Sequence, residues 1–137
     1  MDDSRPRLVQ LTEIAHESGN ITVVEEGAHS PFPFKRVYYL HGLQPESERG
    51  SHAHLRLRQL MIAISGEFEV SLTGLTWRET FVLDSPNKAL VVPPMTWRDL
   101  SGFSEGAICL VLASEIYDES DYIRDYQEFL ELGTSQT

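Results

Sequence analysis

The feature that most constrains this fold is a rhythm of short alternating or apolar runs, each closed by turn-forming residues. The runs are Leu8 to Ile14, Ile21 to Glu25, Arg36 to Leu40, Gln59 to Ile64, Phe68 to Leu72, Thr76 to Leu83, Ala89 to Val92 and Ile108 to Ala113. Between them stand Gly19-Asn20, Ser65-Gly66, Thr73-Gly74, Ser85-Pro86-Asn87 and Pro93-Pro94. Runs of this length with breaks of this kind form strands joined by tight turns, so an all-β barrel or sandwich is expected. Phe68, Val70 and Leu72 share one strand face and Glu67, Glu69 and Ser71 the other, as period-two packing requires. Helical spacing enters only at the end, where Tyr122, Tyr126, Phe129 and Leu130 recur. With Asp118 or Ser120 as N-cap and Gly133 as stop, they predict one helix over about 118–132, after a barrel over about 8–114.

A chain of 137 residues with 41% hydrophobic and 23% charged residues can bury one core, so a single domain over 1–137 is expected. The net charge of −10 repels phosphate backbones and anionic lipid, which argues against nucleic-acid and membrane partners. Much of the acid clusters near the end, in Glu115, Asp118, Glu119, Asp121, Asp125, Glu128 and Glu131 around a single Arg124, and reads as a solvated face. Cys109, the only cysteine, lies in an apolar run and reads as core. The residues around Asp2, Asp3 and Arg5 show no apolar leader, and no run reaches membrane-span length, so a cytoplasmic location is expected.

Chemistry concentrates in Gly50-Ser51-His52-Ala53-His54, followed by Gln59 and Gly66. The spacing resembles the first cupin motif, His-x-His, four residues, Glu, six residues, Gly, with Gln59 in the place of the Glu. Two residues apart on a strand, His52 and His54 project from one face about 7 Å apart, so both imidazoles can enter one cavity. Pro93-Pro94-Met95-Thr96-Trp97-Arg98 resembles the second cupin motif, with Arg98 where the last His would stand. A divalent ion needs neutral imidazole or anionic oxygen around it, and here a guanidinium and an amide replace two of four ligands, so no metal and no cofactor are expected. Tyr38 and Tyr39 alternate faces, so one can be core while the other offers a phenol. Trp97 reads as a core or rim aromatic or as a stacking surface for base or sugar. His16, His29 and His41 sit beside turn residues and read as solvent-exposed.

With these motifs in place, the chain from about Ile21 to Phe129 resembles the nucleotide-sugar 3,4-ketoisomerases, cupins that act on dTDP-4-keto-6-deoxyglucose. The likeness is carried by Lys35-Arg36-Val37-Tyr38-Tyr39, Glu48-Arg49-Gly50-Ser51-His52-Ala53-His54, Gln59-Leu60, Leu83-Asp84-Ser85-Pro86, Pro93-Pro94-Met95-Thr96-Trp97, Leu110 to Ser114, Tyr117-Asp118-Glu119 and Asp121-Tyr122-Ile123-Arg124. The resemblance implies a cupin double-stranded β-helix (jelly roll) with one C-terminal α-helix, a homodimer, and metal-independent movement of a ketone from C4 to C3. On that template His52 is the general base, His54 relays the second proton and Tyr39 hydrogen-bonds to a sugar oxygen. Arg36, Arg49 and Arg98 serve the diphosphate and the enediolate, with their individual roles open; Gln59 orients a histidine or a sugar hydroxyl, and Trp97 keeps both of its readings, core or rim aromatic and substrate-binding stack. Leu55 stands where the family often carries Lys, and Asn20 lies in a stretch that departs from the family, which leaves the C4 configuration open. Two other readings share the pocket: a 3,5-epimerase on the same sugar nucleotide, and a sugar-binding cupin without chemistry.

Overall fold

The computed structural model describes residues 4–135. Asp2 and Asp3, and Gln136 and Thr137 of the tail expected to fray, lie outside them. Among the described residues twelve strands run in the order β1 (Arg7–Gln10), β2 (Thr12–Ile14), β3 (Ile21–Val23), β4 (Arg36–Leu40), β5 (Arg49–His54), β6 (Gln59–Ser65), β7 (Phe68–Thr73), β8 (Arg78–Leu83), β9 (Lys88–Val92), β10 (Trp97–Ser101), β11 (Ile108–Ala113) and β12 (Tyr122–Ile123), followed by helix α1 (Tyr126–Ser135). They build two five-stranded antiparallel sheets, β1-β9-β6-β11-β4 and β12-β5-β10-β7-β8, with β2 and β3 as a separate hairpin. This is the all-β architecture expected from the rhythm of runs and turns, and it takes the jelly-roll form that the resemblance implies.

Alternation decides what faces the space between the sheets. Met61 and Ala63 of β6, Leu90 and Val92 of β9, and Cys109 and Val111 of β11 pack against Phe68, Val70 and Leu72 of β7 and Leu100 of β10. The intervening residues Leu60, Ile62, Ala89, Val91 and Leu112 point outward and are covered by Leu11 and Phe32 from the N-terminal loops. A third cluster joins Ala53, Trp97, Ile123 and Phe129, holding α1 against the outer face of the second sheet. Cys109 is core as expected, and burial pushes its thiol up to about 12.

The C-terminal segment departs from the expected helix. Glu119–Asp121 forms a single 3₁₀ turn capped by Asp118, whose side chain accepts from the Ser120 N–H. Tyr122 and Ile123 then run extended, opposite His54 and Ala53 of β5. The helix starts only at Tyr126, where Asp125 accepts from the Gln127 N–H. Tyr122 therefore belongs to a strand, and its spacing to Tyr126 is coincidental. Gly133 does not stop the helix: it is buried inside α1, and a Cβ there would lie 2.4 Å from a Leu75 methyl, so the glycine lets the helix approach.

Candidate active site

Four elements converge on one end of the barrel. On β5 the inner face presents Gly50, His52 and His54, while Ala53 packs outward beneath α1. Arg98 of β10 lies opposite His52, but the next register pair is Leu100 with Arg49, so β5 carries one extra residue between the two pairs. Gly50 sits in that bulge at φ +90°, and a Cβ there would come within 3.1 Å of Leu100, so the irregularity requires glycine. From β4 the inward residues are Arg36, Tyr38 and Leu40, and from β12 and its flanks come Tyr117, Tyr122 and Arg124. Together with Arg49, Gly50, His52 and Arg98 these side chains line a cavity of about 260 Å³.

The histidines form an edge-to-face pair with centroids 4.9 Å apart, and Tyr122 packs on both, at 5.1 Å from His52 and 4.4 Å from His54. Arg98 Nε–H donates to His52 Nε2 at 3.2 Å, which places the ring proton of a neutral His52 on Nδ1. Burial, then the positive charge of Arg98, lowers both imidazoles from 6.5 to about 3, so both are neutral at physiological pH. Gln59 Nε2–H donates to Tyr38 Oη at 2.7 Å, and burial raises the Tyr38 phenol above its ordinary value. Around this centre, His54 Nδ1 and Nε2, Gln59 Oε1, and Arg36 Nε and Nη2 are buried without a hydrogen-bond partner in the protein. Such groups are rare in folded proteins, and their concentration at one cavity marks a place built for polar atoms of a ligand.

The structure brings together His52, Arg36, Arg49 and Arg98 on the cavity wall, with His54 and Gln59 buried directly behind it. Two of the expected site residues are elsewhere. Tyr39 is 59% exposed on the outer face of β4, against His41, because it has the opposite parity to Arg36; Tyr38 is the phenol at the cavity. Trp97 has the opposite parity to Arg98 and packs under α1 against Tyr126 and Phe129, so it is a core residue away from the cavity wall. The acidic C-terminal stretch is more than a solvated face. Asp121 is buried, and Glu119 grips Arg124 through both carboxylate oxygens, at 2.8 and 3.0 Å, while accepting from the Tyr117 hydroxyl. These bonds hold the Glu119 carboxyl at about 2 and fix Arg124 over the Tyr122 ring at 4.3 Å.

The donor set does not fit the divalent ion that many cupins hold. The Arg98 guanidinium points its Nε–H at the His52 nitrogen a metal would need, and the Gln59 amide nitrogen is turned to Tyr38. Among the described residues, no three His, Cys, Asp or Glu side chains gather as a ligand group. No helix among them is long and apolar enough to cross a membrane.

Residues 4–134 match the family described as FdtA: WxcM-like, C-terminal. The TDP-4-oxo-6-deoxy-alpha-D-glucose-3,4-oxoisomerase of Aneurinibacillus thermoaerophilus is 37% identical over 123 residues, covering 90% of this chain and 88% of the relative. A His-to-Asn mutant of the 3,4-ketoisomerase QdtA from Thermoanaerobacterium thermosaccharolyticum, solved in complex with TDP-4-keto-6-deoxyglucose, superposes with a TM-score of 0.92 at 34% identity, covering 96% of this chain and 95% of that one. The WlaRB TDP-quinovose 3,4-ketoisomerase from Campylobacter jejuni gives 0.88 at 37% identity, covering 92% and 97%. A family match over nearly the whole length, with three relatives above one-third identity, settles the assignment: this chain belongs to the FdtA family and, within the cupins, to the nucleotide-sugar 3,4-ketoisomerases.

Proposed function

We propose that this isomerase converts dTDP-4-keto-6-deoxyglucose to a dTDP-3-keto-6-deoxyhexose by metal-free proton transfer through an enediol(ate). The observation that carries the reading is the meeting of two neutral imidazoles with guanidinium groups and unpartnered buried polar atoms at one sugar-sized cavity. A neutral imidazole has a lone pair for a proton, and the guanidiniums can steady the anion that proton removal creates.

His52 removes the C3 proton, and the electrons of that C–H bond form the C3–C4 double bond as O4 becomes anionic. O4 takes a proton, O3 gives one up and becomes the carbonyl, and C4 is reprotonated, so the net change is ketone migration without gain or loss of atoms. Arg98 occupies the His52 Nε2 lone pair. A sugar oxygen that draws the guanidinium towards itself releases that lone pair, tying base activation to substrate arrival. His54, in ring contact with His52, relays the proton between O3 and O4. Because Gln59 donates to the Tyr38 oxygen, the phenolic proton is free to donate to the substrate carbonyl, so Tyr38 takes the role expected of Tyr39. Arg36, Arg49 and Arg124 at the wall serve the diphosphate. Binding that dianion neutralises positive charge near the histidines and raises their basicity when it is needed.

The working unit of this reading is a homodimer. Val37 and Tyr39 of β4 and Ile64 of β6 leave apolar side chains exposed on the outer face of the first sheet, a surface suited to a second copy.

The test is incubation of the purified protein with dTDP-4-keto-6-deoxyglucose in deuterium oxide, without added metal, followed by NMR. The carbonyl should move to C3 with deuterium incorporated at C4. His52→Asn should slow exchange of the C3 proton by about 10²- to 10⁴-fold while TDP binding stays within a few-fold. A carbonyl that stays at C4 with inverted neighbouring carbons would make the protein an epimerase, and binding without conversion would make it a sugar-binding cupin. C3 exchange at the wild-type rate in His52→Asn would remove the base assignment.

A further inference from the structure

We propose that Asp121 is a positioning residue that orients His54, holding its Nδ1–H and leaving Nε2 as the bare nitrogen that accepts the relayed proton. The inference rests on the ketoisomerase reading for its kinetics but not for its geometry. Asp121 ends the 3₁₀ turn and is 3% exposed, an unusual place for a carboxylate. Its Oδ1 accepts from the Arg56 N–H at 2.9 Å and its Oδ2 from the Leu57 N–H at 3.1 Å, while its backbone carbonyl accepts from Leu55 at 2.9 Å. Two bonds to the carboxylate and one to the backbone carbonyl lock Asp121 to the segment that follows His54. The same Oδ2 lies 3.7 Å from His54 Nδ1, and neither ring nitrogen of His54 has a hydrogen-bond partner in the protein. A closure of about 0.8–1 Å makes this a charge-assisted hydrogen bond of ordinary length.

The charges around the ring explain why an anion is needed there. His54 faces Arg98 from β10, Arg36 from β4 and Arg124 beyond β12, with His52 beside it on its own strand and the Tyr122 ring against it. Those guanidiniums all oppose a positive imidazole. A relay must accept a proton transiently, and a carboxylate fixed on the far nitrogen favours that state and prevents the ring from turning over about its Cβ–Cγ bond. A buried acid that orients an imidazole through one nitrogen so that the other does chemistry is a general arrangement.

Histidine ¹⁵N NMR of the full-length wild-type protein tests the geometry directly. His54 should be neutral with the proton on Nδ1, whereas a predominant Nε2–H form would overturn the proposal whether or not the protein turns over sugar. Asp121→Asn should lower kcat by about 10- to 100-fold with KM within about twofold, and should shift the His54 tautomer signal while leaving that of His52 in place. Arg56→Gln, which removes the exposed guanidinium that pairs with Asp118 and Asp121, is the control for the loop and should leave the His54 tautomer unchanged. If Asp121→Asn does not fold, the wild-type tautomer still decides. Should the wild-type protein fail to isomerise the sugar while His54 carries its proton on Nδ1, the functional reading falls and the positioning of His54 by Asp121 stands.

Discussion

Two neutral imidazoles held inside a barrel make its stability depend on pH, and the dependence can be worked from the site. Both His52 and His54 fall from 6.5 to about 3 on folding, chiefly by burial and by Arg98. A base whose folded value is lowered binds fewer protons in the native state than in the unfolded one. Its contribution is therefore complete above 6.5 and is lost as pH falls from there towards 3. At pH 5 each ring has given up about 2 kcal/mol, and the pair at most about 4, because the lowering of His52 already includes repulsion from a charged His54. The window between pH 7.5 and 5 lies above the range in which the lowered carboxyls of Glu119, Asp118 and Asp84 change stability. Urea unfolding at both pH values and one protein concentration, for wild type and for a His52→Asn/His54→Asn double variant, isolates the histidines from other groups. Wild type should lose at least about 2 kcal/mol more than the variant across this window. Equal losses would refute the idea that the rings are buried in the neutral form.

Other outcomes follow from the same geometry. Tyr38→Phe should lower kcat by at least about 10-fold and destabilise by about 1–3 kcal/mol, since it strands the Gln59 amide, while Tyr39→Phe should leave steady-state kinetics unchanged. Phe129→Ala removes a fully buried ring packed on Trp97 and should cost about 3–5 kcal/mol in denaturant unfolding, with a weakened site because Ala53 of the same cluster lies between the two histidines.

The barrel was legible because strand alternation and turn residues are local signals, and the His52/His54 pair because parity along one strand is local too. Parity also held information about two other side chains. Assigning Arg36 to the cavity already places Tyr38 there and sends Tyr39 outside, and assigning Arg98 sends Trp97 outside. Strand β10 escaped the list of runs because Trp97-Arg98-Asp99-Leu100-Ser101 carries charge on both faces: Arg98 points inward to the site and Asp99 outward to accept from Ser51. Tyr122, Arg124 and Asp121 were hidden for a different reason. Strand β12 is only two residues long and exists by pairing with β5, a contact across nearly seventy residues that no local pattern encodes. The spacing of Tyr122 to Tyr126 and Phe129 meanwhile imitated a helix.

The pairing of β12 with β5 has a consequence for shortened chains. In the second sheet β5 would otherwise be the outermost strand, and it is the strand that bears both imidazoles. A chain ending soon after Ala113 would keep both layers of the jelly roll but leave the ladder groups of His54 and Ala53 open to any passing extended segment, as unprotected margins invite intermolecular pairing. Loss of turnover and a tendency to self-associate would then arrive together, since one short piece of backbone both walls the reaction chamber and shields its flank.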